Sequence, residues 1–142
     1  MQIFATILSA VVVFILSQFF LELVLKPLKK YKKAEFLIDS ELKFYANRLS
    51  SPDVLSRKEE LIRIVDTIRN LSCELEASYK QVIGHWFFKK IDLIPDKGEI
   101  ENAASILIRV SNNVGMRDPV TVRNYEDVKE IRKLLNIESL SN

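Results

Sequence analysis

Cysteine, histidine and glycine are scarce in this chain of 142 residues, and their scarcity excludes several kinds of functional site. The single cysteine, Cys73, has no partner for an internal disulfide, which fits a reducing compartment. Cys73 and the single histidine, His85, form no CxxC or HxxxH motif, so a zinc site would lack ligands. Gly84, Gly98 and Gly115 are the only glycines, and they lie too far apart to form a phosphate-binding loop. We therefore expect no metal, nucleotide or other cofactor, and no enzymatic activity.

Charge is almost absent from residues 1–25, where Glu22 is the only charged side chain. As a helix, the apolar segment 3–25 would extend roughly 34 Å at about 1.5 Å per residue, which matches a hydrocarbon core of about 30 Å. A domain of this size has no core wide enough to enclose such a helix. A cleaved signal peptide would have a lysine or arginine before its apolar segment, and none precedes this one. We predict a retained, single-pass transmembrane anchor over residues 1–25.

A polybasic juxtamembrane segment, residues 26–33, follows the predicted anchor. By the positive-inside rule, it predicts that the N-terminus lies outside and the C-terminal domain lies in the cytoplasm. Anionic headgroups attract each lysine near the surface by about 1 kcal/mol, so membrane lipids are the expected partner of this segment. The layout resembles that of small bacterial proteins with one N-terminal anchor and a cytoplasmic helical domain, which favours a bacterial inner membrane. The lysines are Lys26, Lys29, Lys30, Lys32 and Lys33.

The basic surplus of the chain belongs to this flank. Without these five lysines and Glu22, the part from Ala34 onward has 16 basic and 18 acidic residues. A nucleic-acid-binding domain usually has a basic surplus of its own. We therefore expect no nucleic acid among the partners.

Polar and small residues divide the predicted anchor into two faces. Gln18 and Glu22 lie four residues apart near the cytoplasmic end, where they could bridge helices or extend to the interface. We favour extension to the interface. The second face is small enough to allow close approach of another helix, which suggests self-association. Its members are Thr6, Ala10, Val13 and Ser17.

Residues 34–142 predict a soluble, all-α domain of four to five helices, because apolar residues recur at helical spacing and no alternating run indicates a strand. The first helix continues from the anchor with a kink at Pro27. A turn at residues 50–53 ends this helix. Its apolar stripe comprises Tyr31, Ile38, Leu42, Tyr45 and Leu49, widened by Phe36, Leu37 and Phe44.

Capping signals place the remaining helices. Ser56 and Glu59 form a capping box, and Gly84 ends the helix that they begin. Asp96 caps the next helix, which ends at residues 112–115, and a last helix begins near Asn124. The predicted buried residues are Leu61, Val65, Ile68, Leu71, Leu75, Tyr79, Val82, Ile100, Ala103, Ala104, Leu107, Ile108, Val110, Val128, Ile131, Leu134 and Leu135.

Three consecutive aromatic residues, Trp86, Phe87 and Phe88, precede two lysines. They could lie in the headgroup region of the membrane or close one end of the helical core, and we favour the core. Cys73 falls within the apolar part of a predicted helix, so we expect a buried, inert thiol.

Arginines recur around the loop before the last helix, at Arg109, Arg117 and Arg123, where guanidinium groups could bind an anion. A solvated loop is the interpretation that we favour. His85 would suggest a catalytic role only in a pocket that also holds a carboxylate.

The sequence therefore supports an interaction or oligomerisation protein that presents a cytoplasmic helical domain to a protein partner or to another copy of itself. The alternative hypothesis is an oligomeric membrane effector or pore-forming protein, triggered through the cytoplasmic domain, with Gln18 and Glu22 at its helix contacts. A third possibility is an enzyme of unfamiliar type that acts on lipid.

Overall fold

The computed structural model describes residues 2–50, 58–114 and 120–137, without the side chains of 47–50 and 120–122. Within these ranges the regular elements are all helical, which confirms the predicted all-α class. The capping residue Ser56, residues 51–53 of the predicted turn, and Arg117 lie outside the described residues. The elements are α1 (Gln2–Phe20), a π-helical segment (Leu21–Leu25), α2 (Lys26–Ser50), α3 (Lys58–Gln81), α4 (His85–Lys90), α5 (Lys97–Asn113) and α6 (Val120–Leu134).

The first three elements form one helix from Gln2 to Ser50, roughly 70 Å long at about 1.5 Å per residue. Its N-terminal part is long and apolar enough to cross a membrane, and α1 has no buried residue. The predicted continuation of this helix into the domain is confirmed. Pro27 is accommodated by the π-helical segment that precedes it, in which the Lys26 N–H donates to the Leu21 carbonyl. The wider turn suits a ring that would crowd the preceding carbonyls of a regular helix.

Four helices pack as an antiparallel bundle around one core. α2 and α5 each contact both α3 and α6, so the four helices surround the core in chain order. The Ser72 hydroxyl donates to the Ala104 carbonyl at 2.9 Å and fixes the register of α3 on α5. The fully buried side chains are Tyr31, Ile38, Leu42, Ile64, Ile68, Leu75, Ile94, Ile100, Ile106, Leu107, Ile131 and Leu135.

The local signals at the helix ends hold for three of the four described cases, one of which is the end of α5 at Asn113. Asp96 caps α5 in a capping box, and its backbone N–H donates to the Glu99 carboxylate at 2.7 Å. Gly84 adopts φ +78°, a left-handed conformation that favours glycine, just after α3 ends. The start of the last helix was wrong by four residues, because α6 begins at Val120 and not near Asn124. An apolar stripe marks only the packed part of a helix, and a helix begins wherever its backbone allows.

Several apolar residues face away from the core, contrary to the prediction. Phe36 and Phe44 are exposed on α2, and Ile108 is exposed on α5, where Ile106 is buried instead. Each bundle helix packs against only two neighbours, so its buried face is narrower than the apolar stripe in its sequence.

Cys73 is exposed, and the prediction of a buried thiol was wrong. Leu71 and Leu75 are both buried, and they lie four residues apart on the face of α3 that packs into the bundle. Cys73 lies midway between them in the sequence, about 200° around the helix from each, so it projects from the opposite side.

One end of the bundle adjoins the apolar helix, and we call it the α1-proximal end. Here the Lys30 ammonium donates to the Gln81 side chain at 3.2 Å, and the Tyr31 and Tyr79 rings meet edge to face. The end of α3 therefore lies beside the beginning of α2. The short helix α4, which starts at His85 directly after α3, and the start of α5 lie at the same end. Val24 and Leu28, which are part of the long helix, also pack against the core.

Candidate functional site

The aromatic residues of α4 do not share one environment. Phe88 is 8% exposed and belongs to the core, whereas Trp86 is 75% and Phe87 is 49% exposed. The prediction that these residues close one end of the helical core is therefore right for Phe88 and wrong for Trp86 and Phe87. Consecutive residues of a helix point about 100° apart, so three in a row cannot all face one core. Ile83 and Ile91, at either side of α4, are also exposed.

A cleft of about 430 Å³ lies beside α4, between the end of α3 and the start of α5. Its apolar lining is provided by Tyr79, Trp86 and Ile100. Six charged side chains surround it, and they are joined in pairs: Lys80 with Glu76, Lys89 with Asp96, and Lys97 with Glu101, at 3.3, 2.9 and 3.4 Å. The Lys89 ammonium, by hydrogen bonding, holds the pKa of the exposed Asp96 carboxyl below its usual value. Because the three pairs cancel, the cleft has no charge with which to select an anion or a cation.

His85 lines the same cleft, but its ring is engaged by the backbone. Its Nε2 lies 2.8 Å from the Tyr79 carbonyl oxygen, so Nε2 carries the hydrogen and donates it. The ring also packs on the Tyr79 ring, with 4.7 Å between centroids. The carboxylates of the cleft are paired with lysines, and His85 has no carboxylate as its hydrogen-bond partner in the part of the chain that the structure describes. These contacts tie α4 to the end of α3. The cleft combines His85 with the carboxylates of Glu76, Asp96 and Glu101, so the hypothesis of an enzyme of unfamiliar type stays a prediction.

A second groove, of about 470 Å³, runs between α2 and α6 and is lined by charged residues. Asp39 pairs with Lys43 at 2.6 Å and with Arg132 at 3.0 Å. Glu35 is buried beside them and pairs with Lys32 at 2.7 Å. Burial raises the pKa of the Glu35 carboxyl, and the hydrogen bond and charge of Lys32 only partly oppose this effect. The groove thus contains a carboxylate that is easier to protonate in the folded chain than in the unfolded chain.

The buried carboxyl of Glu35 predicts a specific pH dependence of stability. Because its pKa is higher in the folded chain, the folded chain binds more protons just above the pH at which an unfolded glutamate titrates. The free energy of unfolding should therefore fall as the pH rises through this window. Glu35→Gln cannot titrate, and we expect it to remove this part of the pH dependence and to match or exceed the natural stability near neutral pH.

Urea titrations at several pH values, followed by circular dichroism, measure this effect. Glu126→Gln, which removes an exposed carboxylate from α6, is the matched control and should keep the natural profile. Parallel pH profiles for Glu35→Gln and the natural chain would contradict the assignment.

The arginines predicted as an anion site differ in their surroundings. Arg109 donates to both carboxylate oxygens of the buried Asp127, at 2.9 and 2.6 Å, and this hydrogen bonding raises its pKa. Arg123 is exposed on α6. An anion that binds at Arg109 would have to compete with Asp127 for the guanidinium group. The anion site therefore remains a prediction.

The polar residues predicted for helix association all lie on the exposed surface of the apolar helix. The Thr6 and Ser17 hydroxyls donate to the carbonyls of Gln2 and Val13, so they are satisfied within the helix. Glu22 pairs with Lys26 at 2.6 Å. Ala10 and Gln18 are likewise exposed. The small-residue face is therefore accessible to another helix, and its use remains a prediction.

The predicted lysine flank is part of α2. Lys30 and Lys32 contact Gln81 and Glu35, as described above, while Lys29 and Lys33 are exposed. The flank therefore surrounds the helix where the bundle begins.

Within the described ranges, no group of three or more histidine, cysteine, aspartate or glutamate residues is placed to hold a metal ion. No known protein family matches the chain, and no curated protein or solved structure shows significant similarity to it.

Proposed function

We propose that this chain is a single-pass membrane protein whose cytoplasmic helical bundle binds a protein partner or another copy of itself. The apolar helix is the anchor, and the lysines that follow it keep the bundle on the cytoplasmic side. The observation that carries the proposal is the single helix from Gln2 to Ser50. It joins an apolar segment without buried residues to the first helix of the bundle. A leader that is removed after export has no need of such continuity.

The outer side of α2 is the proposed contact surface. Phe36 and Phe44 are 70% and 69% exposed, and they lie eight residues apart, which places them about 80° apart around the helix. Large exposed aromatic side chains are typical of contact surfaces. Because α2 continues α1, contact between two copies at the small-residue face of α1 would bring their α2 helices close as well. Tethering to one membrane raises the effective concentration, so a modest interface suffices.

Crosslinking in native membranes tests this contact. We expect a crosslinked species with the natural chain, and a loss of roughly tenfold in its yield for Phe36→Ser with Phe44→Ser, since truncating a buried aromatic anchor typically costs at least about 1.4 kcal/mol. Tyr125→Ser removes an equally exposed aromatic side chain from α6 and is the control. A chain that remains monomeric and copurifies with no protein would contradict the proposal.

The exposed Cys73 is a natural probe of orientation, because it is the only cysteine. We expect a membrane-impermeant maleimide to leave Cys73 unlabelled in intact cells and to label it once the membrane is permeabilised. Gln2→Cys, combined with Cys73→Ser, should be labelled in intact cells and serves as the control for the outer side, because residue 2 precedes the apolar segment. Labelling of Cys73 in intact cells would reverse the proposed orientation.

A further inference from the structure

We propose that α4 and its flanking residues rest on the same membrane leaflet from which α2 emerges, and so form a second, peripheral attachment of the bundle to the bilayer. The contact surface consists of the exposed side chains of Ile83, Trp86, Phe87 and Ile91, with Lys89 and Lys90 among them. This inference rests on the proposed anchor. In this inference, the anionic bilayer surface covers the apolar side chains that the bundle leaves exposed.

The position of α4 along the long helix supports this contact. Lys30, which bonds to Gln81 at the end of α3, lies five residues beyond Leu25 and therefore about 8 Å along the helix axis. The headgroup layer on each side of a bilayer is roughly 5 to 8 Å thick. Val24 and Leu28 pack against the core, so the bundle reaches the last turns of the apolar segment. The α1-proximal end therefore lies at the level of the headgroups.

The chemistry of the surface matches that level. Tryptophan is enriched at the membrane interface because its ring is apolar and its N–H is polar. The exposed Lys90 beside it adds attraction to anionic lipids, whereas the charge of Lys89 is balanced by Asp96. Trp86 is 75% exposed in the bundle, which leaves most of its ring available to lipid. A water-facing surface with four large apolar side chains on and beside a six-residue helix is costly, and contact with the interface removes this cost.

The attachment has a structural consequence for the bundle. A single helix would let the bundle tilt and rotate over the membrane, whereas contacts at both α2 and α4 fix one orientation. The outer side of α2, with Phe36 and Phe44, then projects parallel to the membrane plane, towards neighbouring proteins of the same membrane. The second attachment thus restricts partner binding to this plane.

The only tryptophan of the chain provides the test, because all tryptophan emission comes from α4. The full chain is reconstituted in vesicles of phosphatidylcholine and phosphatidylglycerol, with bromine on the acyl chains either close to the headgroup or close to the chain end. We expect the shallow bromine to reduce Trp86 emission about twofold, because interfacial tryptophan lies at headgroup level, and the deep bromine to reduce it less. Resistance to alkaline extraction, measured on the same vesicles, reports the anchor independently.

The two measurements separate the inference from the proposed function. Emission that neither bromine reduces, in a chain that resists extraction, overturns the membrane contact of α4 and leaves the anchor intact. Quenching of a chain that alkali extracts supports the contact and overturns the anchor. Concentration-dependent shielding of Trp86 from iodide without quenching by bromine assigns the surface to a protein contact and also overturns the inference.

A pair of variants checks that the exposed apolar side chains carry the contact. Ile83→Ser with Ile91→Ser should lower the quenching by the shallow bromine towards the unquenched level, while Trp86 itself is kept. Ile62→Ser with Ile108→Ser removes the same number of exposed isoleucines from α3 and α5 and should leave the quenching unchanged. Equal quenching in the two variants would overturn the role of Ile83 and Ile91.

Discussion

The chain carrying Val12→Arg and Ile15→Arg together is expected to leave the membrane fraction, in which the natural chain should remain. Both positions lie near the middle of the apolar helix, and neither is buried by any described part of the bundle. One arginine at the centre of a membrane helix costs about 2.5 to 3.5 kcal/mol on insertion scales. Two arginines therefore cost about 6 kcal/mol, which corresponds to about four orders of magnitude in partitioning. Alkaline extraction of isolated membranes, followed by sedimentation, measures the effect.

A control variant distinguishes the position of the two added charges from their number. Ile62→Arg with Tyr125→Arg adds the same two charges to exposed sites on α3 and α6, and this control should stay in the membrane fraction. If the variant at Val12 and Ile15 still resists alkaline extraction, α1 is not the anchor, and the proposed function loses its basis.

Local signals in the sequence were sufficient for most helices. The cap at Asp96 and the turn at Gly84 depend on the backbone of a few neighbouring residues, so they can be read without knowledge of the fold. The continuous helix through Pro27 was likewise expected, since apolar residues keep their helical spacing on both sides of it. The π-helical segment before Pro27 was not, because proline is compatible with several local adjustments.

The direction in which a side chain points depends on the arrangement of helices, and here the sequence was misleading. Phe36, Phe44 and Cys73 lie within apolar stretches, yet all three are exposed, because each helix has only two neighbours in the bundle. Trp86 and Phe87 are exposed because α4 packs one face on the core, and Phe88 occupies that face. A stripe in the sequence shows which residues can be buried, and the packing decides which of them are.

Contacts between distant residues could not be predicted at all. The bond between Lys30 and Gln81, which places α4 at the α1-proximal end, joins residues that lie 51 positions apart. Nothing in either sequence segment indicates the other. The candidate membrane contact of α4 therefore follows only from this bond together with the proposed position of α2 at the membrane surface.

The ion pair between Arg109 and Asp127 also joins separate helices, and its removal is the second large effect that we expect. The side chain of Asp127 is 5% exposed, whereas that of Arg109 is 39% exposed. Loss of Arg109 strands a desolvated carboxylate, while loss of the charge on Asp127 leaves a guanidinium that still reaches water. Removing one partner of a fully buried pair costs about 3 to 5 kcal/mol, and the partial exposure of Arg109 reduces this cost.

We therefore expect Arg109→Met to lower the free energy of unfolding by about 2 kcal/mol and Asp127→Asn to lower it by about 1 kcal/mol. In the double variant no charge is stranded, so its loss should be smaller than the sum of the two single losses. Urea titration of the full chain in mild detergent, followed by circular dichroism, gives the three values, because α1 remains helical in the micelle while the bundle unfolds. Arg123→Met removes an exposed arginine of α6 and should change stability by less than about 0.5 kcal/mol. Equal losses for Arg109→Met and Asp127→Asn, with full additivity in the double variant, would mean that the carboxylate is hydrated and that the pair contributes little to holding α5 against α6.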